Sequence, residues 1–341
     1  MTIFQTYDEI DAHQLLHPQA QKDKIFDLEK KPRIIVIAGP TGVGKTEMGI
    51  SLAQILDGEI ISTDSMQVYK NMDIGTAKAT KRQRENIVHH LIDVKEISEE
   101  FNVVEFYHLA HSVCRDILMR GKVPILVGGS GFYIHTFLFG PPLGPPANKE
   151  LRSKLEQQMQ KMGPEVMYER LQMLDPEYAH TITENDRHKI IRALEIIALT
   201  KRKVSSFPKS TQAANLYYDA RLWFLYYPKE ILFPKLDMRC EKMISEGFVE
   251  EVINLEKMGL KNNPRASQAI GYKQALEFLA SNQTEDDKKH FIDEFKKATR
   301  RYVKRQFTWF RKEKNFRWIN LSEFDLERVK EYILQDYEQG R

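Results

Sequence analysis

The chain has 341 residues, 42% hydrophobic and 29% charged, with a net charge of +3. That composition is ordinary for a soluble globular protein of two domains, or of one domain with a large insertion. The two cysteines, Cys114 and Cys240, are far apart and outside any ligand-spaced cluster. This argues against a disulfide framework or zinc site and fits a reducing cytoplasm. No apolar run approaches the roughly 20 residues that cross a bilayer, so no membrane role is expected.

Residues 1–31 lack a signal-like apolar core, and their acidic residues are unlike a transit peptide. They read as a peripheral N-terminal extension. Residues 34–38, Ile-Ile-Val-Ile-Ala, then read as a buried strand. Directly behind it runs Gly39-Pro40-Thr41-Gly42-Val43-Gly44-Lys45-Thr46, a phosphate loop of the form G-x-x-x-x-G-K-T. Its glycines let successive backbone N–H groups converge on one anion. Lys45 adds a mobile charge, and the Thr46 hydroxyl is a candidate Mg²⁺ ligand. Residues 47–56 predict the helix whose N-terminal dipole favours that anion.

A second strand is predicted over residues 59–63, ending at Asp64-Ser65. A helix follows over 103–120 and a third strand over 123–127, which leads into Gly128-Gly129-Ser130-Gly131. The intervening His89-His90 has no ligand-spaced partner and reads as structural. Prolines and glycines over residues 140–146 mark a boundary. Residues 149–203 predict helix, broken at Gly163-Pro164 and Asp175-Pro176. A fourth strand is predicted at 222–226, and residues 235–341 read as mostly helical.

Strands alternating with helices imply an α/β fold. We expect a P-loop NTPase-like parallel sheet core built from residues 32–140 and 204–341, with helices at its C-terminal end. Residues 141–203 would form a mostly helical insertion. Ligands in such folds lie beyond the carboxyl ends of the strands, so the phosphate loop, Asp64 and the 128–131 turn should share one crevice.

The loop alone does not name its ligand. GTPase signatures are absent, because Asn148-Lys149 is followed by Glu150-Leu151. The strand at 123–127 ends in glycines and not in the acidic pair of a motor ATPase. A small-molecule kinase and a non-catalytic RNA-binding ATPase remain open. Asp64 fits a water-mediated Mg²⁺ ligand or a proton acceptor, and equally a helix N-cap. Near the C-terminus Lys296, Lys297, Arg300, Arg301, Lys304, Arg305, Arg311, Lys312 and Lys314 interleave with Tyr302, Phe307, Trp309, Phe310, Phe316 and Trp318. Cations among aromatics suit a nucleic acid, but the pattern also suits an amphipathic helix with a solvated basic face. Arg187-His188-Lys189 and Arg192 form a second basic cluster.

Several separated motifs together carry a resemblance. They are the phosphate loop, residues 62–69 (Ser-Thr-Asp-Ser-Met-Gln-Val-Tyr) and residues 72–78 (Met-Asp-Ile-Gly-Thr-Ala-Lys). Residues 127–133, Asn185-Asp186, Arg192-Ala193-Leu194-Glu195, residues 269–273 and residues 304–310 complete the set. On these the chain resembles the tRNA dimethylallyltransferases, also called tRNA isopentenyltransferases. The resemblance implies transfer of a dimethylallyl group from dimethylallyl diphosphate to an adenosine amine. That adenosine lies 3′-adjacent to the anticodon in tRNAs reading U-starting codons. It implies that residues 39–46 and Arg239 hold the diphosphate, with Mg²⁺ on Thr46. Lys45 and Arg239 would stabilise departing pyrophosphate, Asp64 would accept the amine proton, and Ser130 would stand in for a family threonine.

By the same resemblance, the tRNA anticodon stem-loop would meet Asp64, Ser65, Met66, Gln67, Ser130, Arg152, His188, Lys189, Ile190, Ile191, Arg192, Gln268, Ala269, Ile270, Gly271, Tyr272 and Lys273. The expectation is a cytoplasmic monomer. The run Asn185-Asp186-Arg187-His188-Lys189 departs from the family's Asn-Asp-Pro followed by Gln-Arg, and Lys235 replaces a common arginine. An enzyme prenylating free AMP or ATP is the nearest alternative; the insertion and the basic stretch argue against it.

Overall fold

The computed structural model describes residues 31–142, 144–207 and 217–339. Apart from Lys31, the expected N-terminal extension lies outside them.

Six strands form one sheet: β1 (Arg33–Ala38), β2 (Gly58–Ser62), β3 (His89–His90), β4 (Val123–Gly128), β5 (Asp219–Tyr226) and β6 (Arg317–Asn320). Their order is β3-β2-β4-β1-β5-β6, and every pairing is parallel. The run Ile34-Ile35-Val36-Ile37-Ala38 is wholly buried, as expected of a central strand covered on both faces. In the ladder Ala38 pairs with Gly128 and with Phe224, and Ser62 pairs with Val127. The register therefore brings the carboxyl ends of β1, β2 and β4 level at one edge. Gly128 makes that closeness possible: a Cβ there would stand 2.2 Å from the Thr63 hydroxyl.

Helix α1 (Lys45–Leu56) follows the phosphate loop. Then come α2 (Lys81–Asn86), α3 (Val103–Met119) and α4 (Gly131–Phe139). Beyond β5 lie α8 (Lys229–Ser245), α9 (Phe248–Lys257), α10 (Tyr272–Leu279), α11 (Glu285–Phe310) and α12 (Leu326–Glu338). The sequence reading places β5 three residues too late, at 222, because pairing with β1 already begins at Arg33 with Asp219. It also misses β6. Of that strand's four residues only Ile319 is fully buried, so no two-residue period is visible.

Between α4 and β5 run α5 (Lys149–Leu174), α6 (Pro176–Ala179) and α7 (Arg187–Thr200). Gly163, at φ 86°, kinks α5 just before Pro164, and Asp175 caps α6. These helices have their own small core around Leu155, Met159, Met167, Leu171, Ile190 and Leu194, separate from the core under the sheet. We propose that residues 141–203 act as a distinct unit inserted into the sheet domain.

A buried carboxylate holds the entry to this unit. Glu195 is fully buried and accepts hydrogen bonds from Arg152, Arg192 and the Asn148 backbone N–H, each at 2.7 Å. Glu195→Ala should destabilise the unit by about 3–5 kcal/mol, since two half-buried guanidinium groups lose their shared anion. Hydrogen exchange over residues 148–195 should rise well before exchange in β1 does. Equal protection in variant and parent would refute this.

Candidate active site

The phosphate loop has the backbone its glycines allow. Gly42 and Gly44 have φ of 81° and 90°, and a Cβ on Gly39 would meet the Leu225 carbonyl at 2.3 Å. Gly44 caps α1 without a side-chain hydrogen bond, so the first-turn amides stay open to an anion. The Lys45 ammonium donates to the Pro40 carbonyl at 2.7 Å and folds back over the loop. Arg239, from α8, comes to the same place. Its Nη1 lies 3.6 Å from where a Cβ on Gly42 would stand, and it has no ion pair or hydrogen bond among the described residues. Burial, reinforced by the Arg239 charge, pushes the Lys45 ammonium down to about 7. Burial likewise lowers the Arg239 guanidinium, which Glu47 and Asp64 partly offset.

Asp64 emerges from the end of β2 opposite this cationic pair. Its Oδ1 accepts from the Met66 backbone N–H at 2.8 Å, but no helix follows, so the expected helix N-cap is instead a cap on a turn. It also lines the cavity beside the phosphate loop, so capping and cavity roles coexist in one side chain. Ser130 caps α4, and its hydroxyl accepts from the Ser65 backbone N–H at 3.4 Å. Tyr302 stands beside the same serine, and burial raises the phenol pKa so that it stays protonated. Buried Gln306 joins two of the three strand ends. It donates to the Gly129 carbonyl at 3.0 Å and accepts from the Thr41 backbone N–H at 3.2 Å.

A cavity of about 300 Å³ opens beside the phosphate loop, which reaches it through Thr41. Thr41, Asp64 and Arg239 stand in its wall together with Arg265, Tyr302 and Arg305. Leu236, Met243, Ile270 and Phe295 line it with hydrocarbon. The floor is rigid. Glu251 accepts from the backbone N–H groups of Asp73, Ile74 and Gly75 and from the Tyr272 hydroxyl, at 2.6–3.2 Å. Gly75 lies directly against Phe248 and Tyr272, whose rings a Cβ would overlap at 2.3 and 2.6 Å.

The residues expected at the RNA surface divide into groups. Ser65, Met66, Gln268, Ala269, Ile270 and Tyr272 line the cavity with Asp64. Gln67 is tied inward, accepting from the Ser62 hydroxyl and donating to the Thr76 carbonyl. Gly271 is pressed against Phe295, and Lys273 is exposed beside Glu277. Ile190 and Ile191 point into the small core of the insertion, so their side chains have no surface to offer. Arg152 and Arg192 are committed to Glu195. Arg187, His188 and Lys189 are exposed at the start of α7.

Along α11 both readings of the basic run hold, on different sides. Phe307 and Phe310 are core residues, as is Phe316 beyond the helix. Lys296 and Arg300 pair with Glu241 and Asp237. Arg301, Lys304, Arg305, Arg311, Lys312 and Lys314 are exposed without an ion pair among the described residues. Sequence reasoning missed Tyr302, Arg305 and Gln306 as site residues although they lie in segments it marked. Leu236, Met243 and Phe295 carried no signal, because only the packing of α8 and α11 turns them toward the cavity, and neither did Arg265, which reaches it from the segment between α9 and α10.

The described residues contain no group of three or more His, Cys, Asp or Glu able to hold a metal, and no helix long and apolar enough to cross a membrane. A lone hydroxyl at Thr46 with a carboxylate nearby suits Mg²⁺, which keeps waters and takes phosphate oxygens rather than a protein cage.

The IPP transferase family model matches residues 67–313, just downstream of the phosphate loop and Asp64. The chain is 54% identical over 321 residues to a tRNA dimethylallyltransferase of Protochlamydia amoebophila, covering 94% of this chain and 93% of the relative. It is 46% identical over 323 residues to the Chlamydia felis tRNA dimethylallyltransferase, with 94% and 93% covered. Among solved structures it is similar to the full-length tRNA isopentenylpyrophosphate transferase of Bacillus halodurans. There the TM-score is 0.66 and the identity 36%, over 91% of this chain and 98% of the other. A eukaryotic dimethylallyltransferase acting on tRNA gives a TM-score of 0.73 at 31% identity, over 91% of this chain and 80% of that one.

A Lys45 ammonium lowered to about 7 predicts that anion binding is proton-linked. An ammonium titrating near 7 is mostly neutral at pH 8, and a bound pyrophosphate raises its pKa by charge attraction. Binding at pH 8 should therefore take up most of one proton, and affinity should fall as pH rises above about 7. Calorimetry in two buffers of different ionisation heat reads this uptake. Lys45→Arg should abolish it, and equal uptake in both proteins would overturn the assignment.

Proposed function

The chain belongs to the IPP transferase family, and from that premise we propose that it is a tRNA dimethylallyltransferase. It moves the dimethylallyl group of dimethylallyl diphosphate to the exocyclic amine of the adenosine 3′-adjacent to the anticodon, in tRNAs reading U-starting codons. The observation that carries this reading is the mixed character of the cavity. A phosphate loop and Arg239 share one space with Leu236, Met243 and Phe295, which suits a short hydrocarbon attached to a diphosphate. The exposed cations of α11 and α7 support a polyanionic acceptor over a free nucleotide.

In this reading the open amides of residues 39–46, Lys45 and Arg239 bind the diphosphate. Mg²⁺ held by Thr46, when bound, neutralises phosphate charge. The adenosine leaves its stack and enters beside Asp64, at a cost of a few kcal/mol. The amine nitrogen forms a bond to C1 of the dimethylallyl group while the C1–O bond breaks. Pyrophosphate departs with the electron pair, and Asp64 receives the amine proton. An adenine amine is a weak nucleophile, so charge stabilisation of the leaving group by Lys45 and Arg239 dominates the rate. Ser130, beside Tyr302, orients the amine next to Asp64. We place the enzyme in the cytoplasm with its tRNA, acting as a monomer.

Two outcomes test this. Asp64→Ala should lower kcat by about 10²–10⁴-fold while tRNA affinity falls much less. An unchanged kcat would refute the role of the base. The tRNA Kd should weaken steeply between 50 and 200 mM salt, since exposed lysines and arginines meet phosphates. Failure to prenylate unmodified tRNA from dimethylallyl diphosphate and Mg²⁺ would remove the assignment itself.

A further inference from the structure

Helix α11 carries more than the catalytic cavity uses. Tyr302, Arg305 and Trp309 follow at i, i+3 and i+7, so they share one stripe of the helix over about 10 Å. Tyr302 and Arg305 stand in the cavity wall, and the Arg305 guanidinium lies over the Tyr302 ring at 5.6 Å. Trp309, one step further out, is 38% exposed, and beside it Phe132 is 42% exposed. Their rings meet edge to face with centroids 6.0 Å apart. Lys312, exposed and without an ion pair among the described residues, follows in the next turn.

Exposure of two large rings side by side is not a by-product of core packing here. The core side of α11 is already filled by Phe307 and Phe310. The indole is held from below by Gly131, where a Cβ would stand 2.2 Å from Trp309 Cδ1. Gly131 directly follows Ser130, so the indole is fixed against the backbone that positions the serine. The result is a rigid aromatic surface at the rim of the cavity, flanked by unpaired cations. Flat π-faces beside such cations match the chemistry of unstacked bases on a phosphodiester strand.

We infer that Trp309, with Phe132 beside it, is a stacking platform for a loop base neighbouring the adenosine that enters the cavity, with Arg305 and Lys312 facing the adjoining phosphates. This rests on the proposed tRNA substrate. A nucleotide flipped into the cavity breaks the stacks on either side of it. A protein ring offered to the exposed neighbour replaces one of those stacks, and so lowers the cost of flipping. Trp309 is a positioning residue in this account and touches no reacting atom.

Tryptophan emission tests it directly. The other two tryptophans, Trp223 and Trp318, are largely enclosed by packing. An unmodified anticodon stem-loop RNA should quench emission of the parent protein, and the quench should vanish in Trp309→Phe. A fully paired hairpin of equal length should not quench. Trp309→Ala should weaken stem-loop binding roughly 5- to 150-fold, the range spanned by base–aromatic stacking, while Trp309→Phe stays within a few-fold of the parent. The loss in Trp309→Ala should persist at high salt, whereas the loss in Lys312→Ala should fade. Pyrophosphate affinity in each variant reports that the fold is intact. Bound stem-loop without quenching, or an unchanged Kd in Trp309→Ala, would overturn the platform. Quenching without prenylation by the parent would instead sink the reaction and leave the platform standing.

Discussion

Two like charges define this molecule. Lys45 and Arg239 are both buried at the mouth of the phosphate loop; burial lowers the pKa of each, and the Arg239 charge lowers that of Lys45 further. Neither would come there unaided, because desolvated cations repel. Lys45 is placed by the turn from β1 into α1, and Arg239 by the packing of α8 over Gly42. The fold thus sets both cationic groups in place beforehand, beside the loop proposed to take a diphosphate. Preorganised charge of this kind lowers a barrier without reorganisation during the reaction.

Helix α11 links that electrostatic centre to everything else. Through Gln306 it joins the phosphate loop to the turn after β4. Through Tyr302 it reaches Ser130, and through Phe295 it supplies hydrocarbon to the cavity. Its first turn is fixed by a capping box between Thr284 and Asp287, far from the chemistry. A single element thereby joins the phosphate loop, the cavity and the outer basic face. The same helix explains why neither reading of the basic run excluded the other: its aromatics fill the core on one side and its cations face solvent on another.

The insertion shows how charge is divided between structure and surface. Five of its basic residues drew attention in the sequence, but Arg152 and Arg192 are bound to buried Glu195 and secure the entry to the unit. Arg187 and His188 are exposed without an ion pair among the described residues, while exposed Lys189 pairs with Asp186, all just before the buried Ile190 and Ile191. The helical period separates these roles within one turn and a half.

What the sequence by itself determined is what depends on local rules. The phosphate loop follows from glycine spacing, β1 from an unbroken apolar run, the kinks of the insertion from Gly-Pro and Asp-Pro, and Asp64 from its place at a strand end. These need no partner from elsewhere in the chain, so they are legible in the order of residues. The tertiary structure decided the rest. Strand β6 exists because β5 offers it an edge. Asp64 turned out to cap a turn and face the cavity at once, which no motif distinguishes. Leu236, Met243, Arg265 and Phe295 came to line one cavity only through packing across long separations. Which cations are free and which are spent depended on the carboxylates that folding brought beside them, and that pairing is written in no single segment.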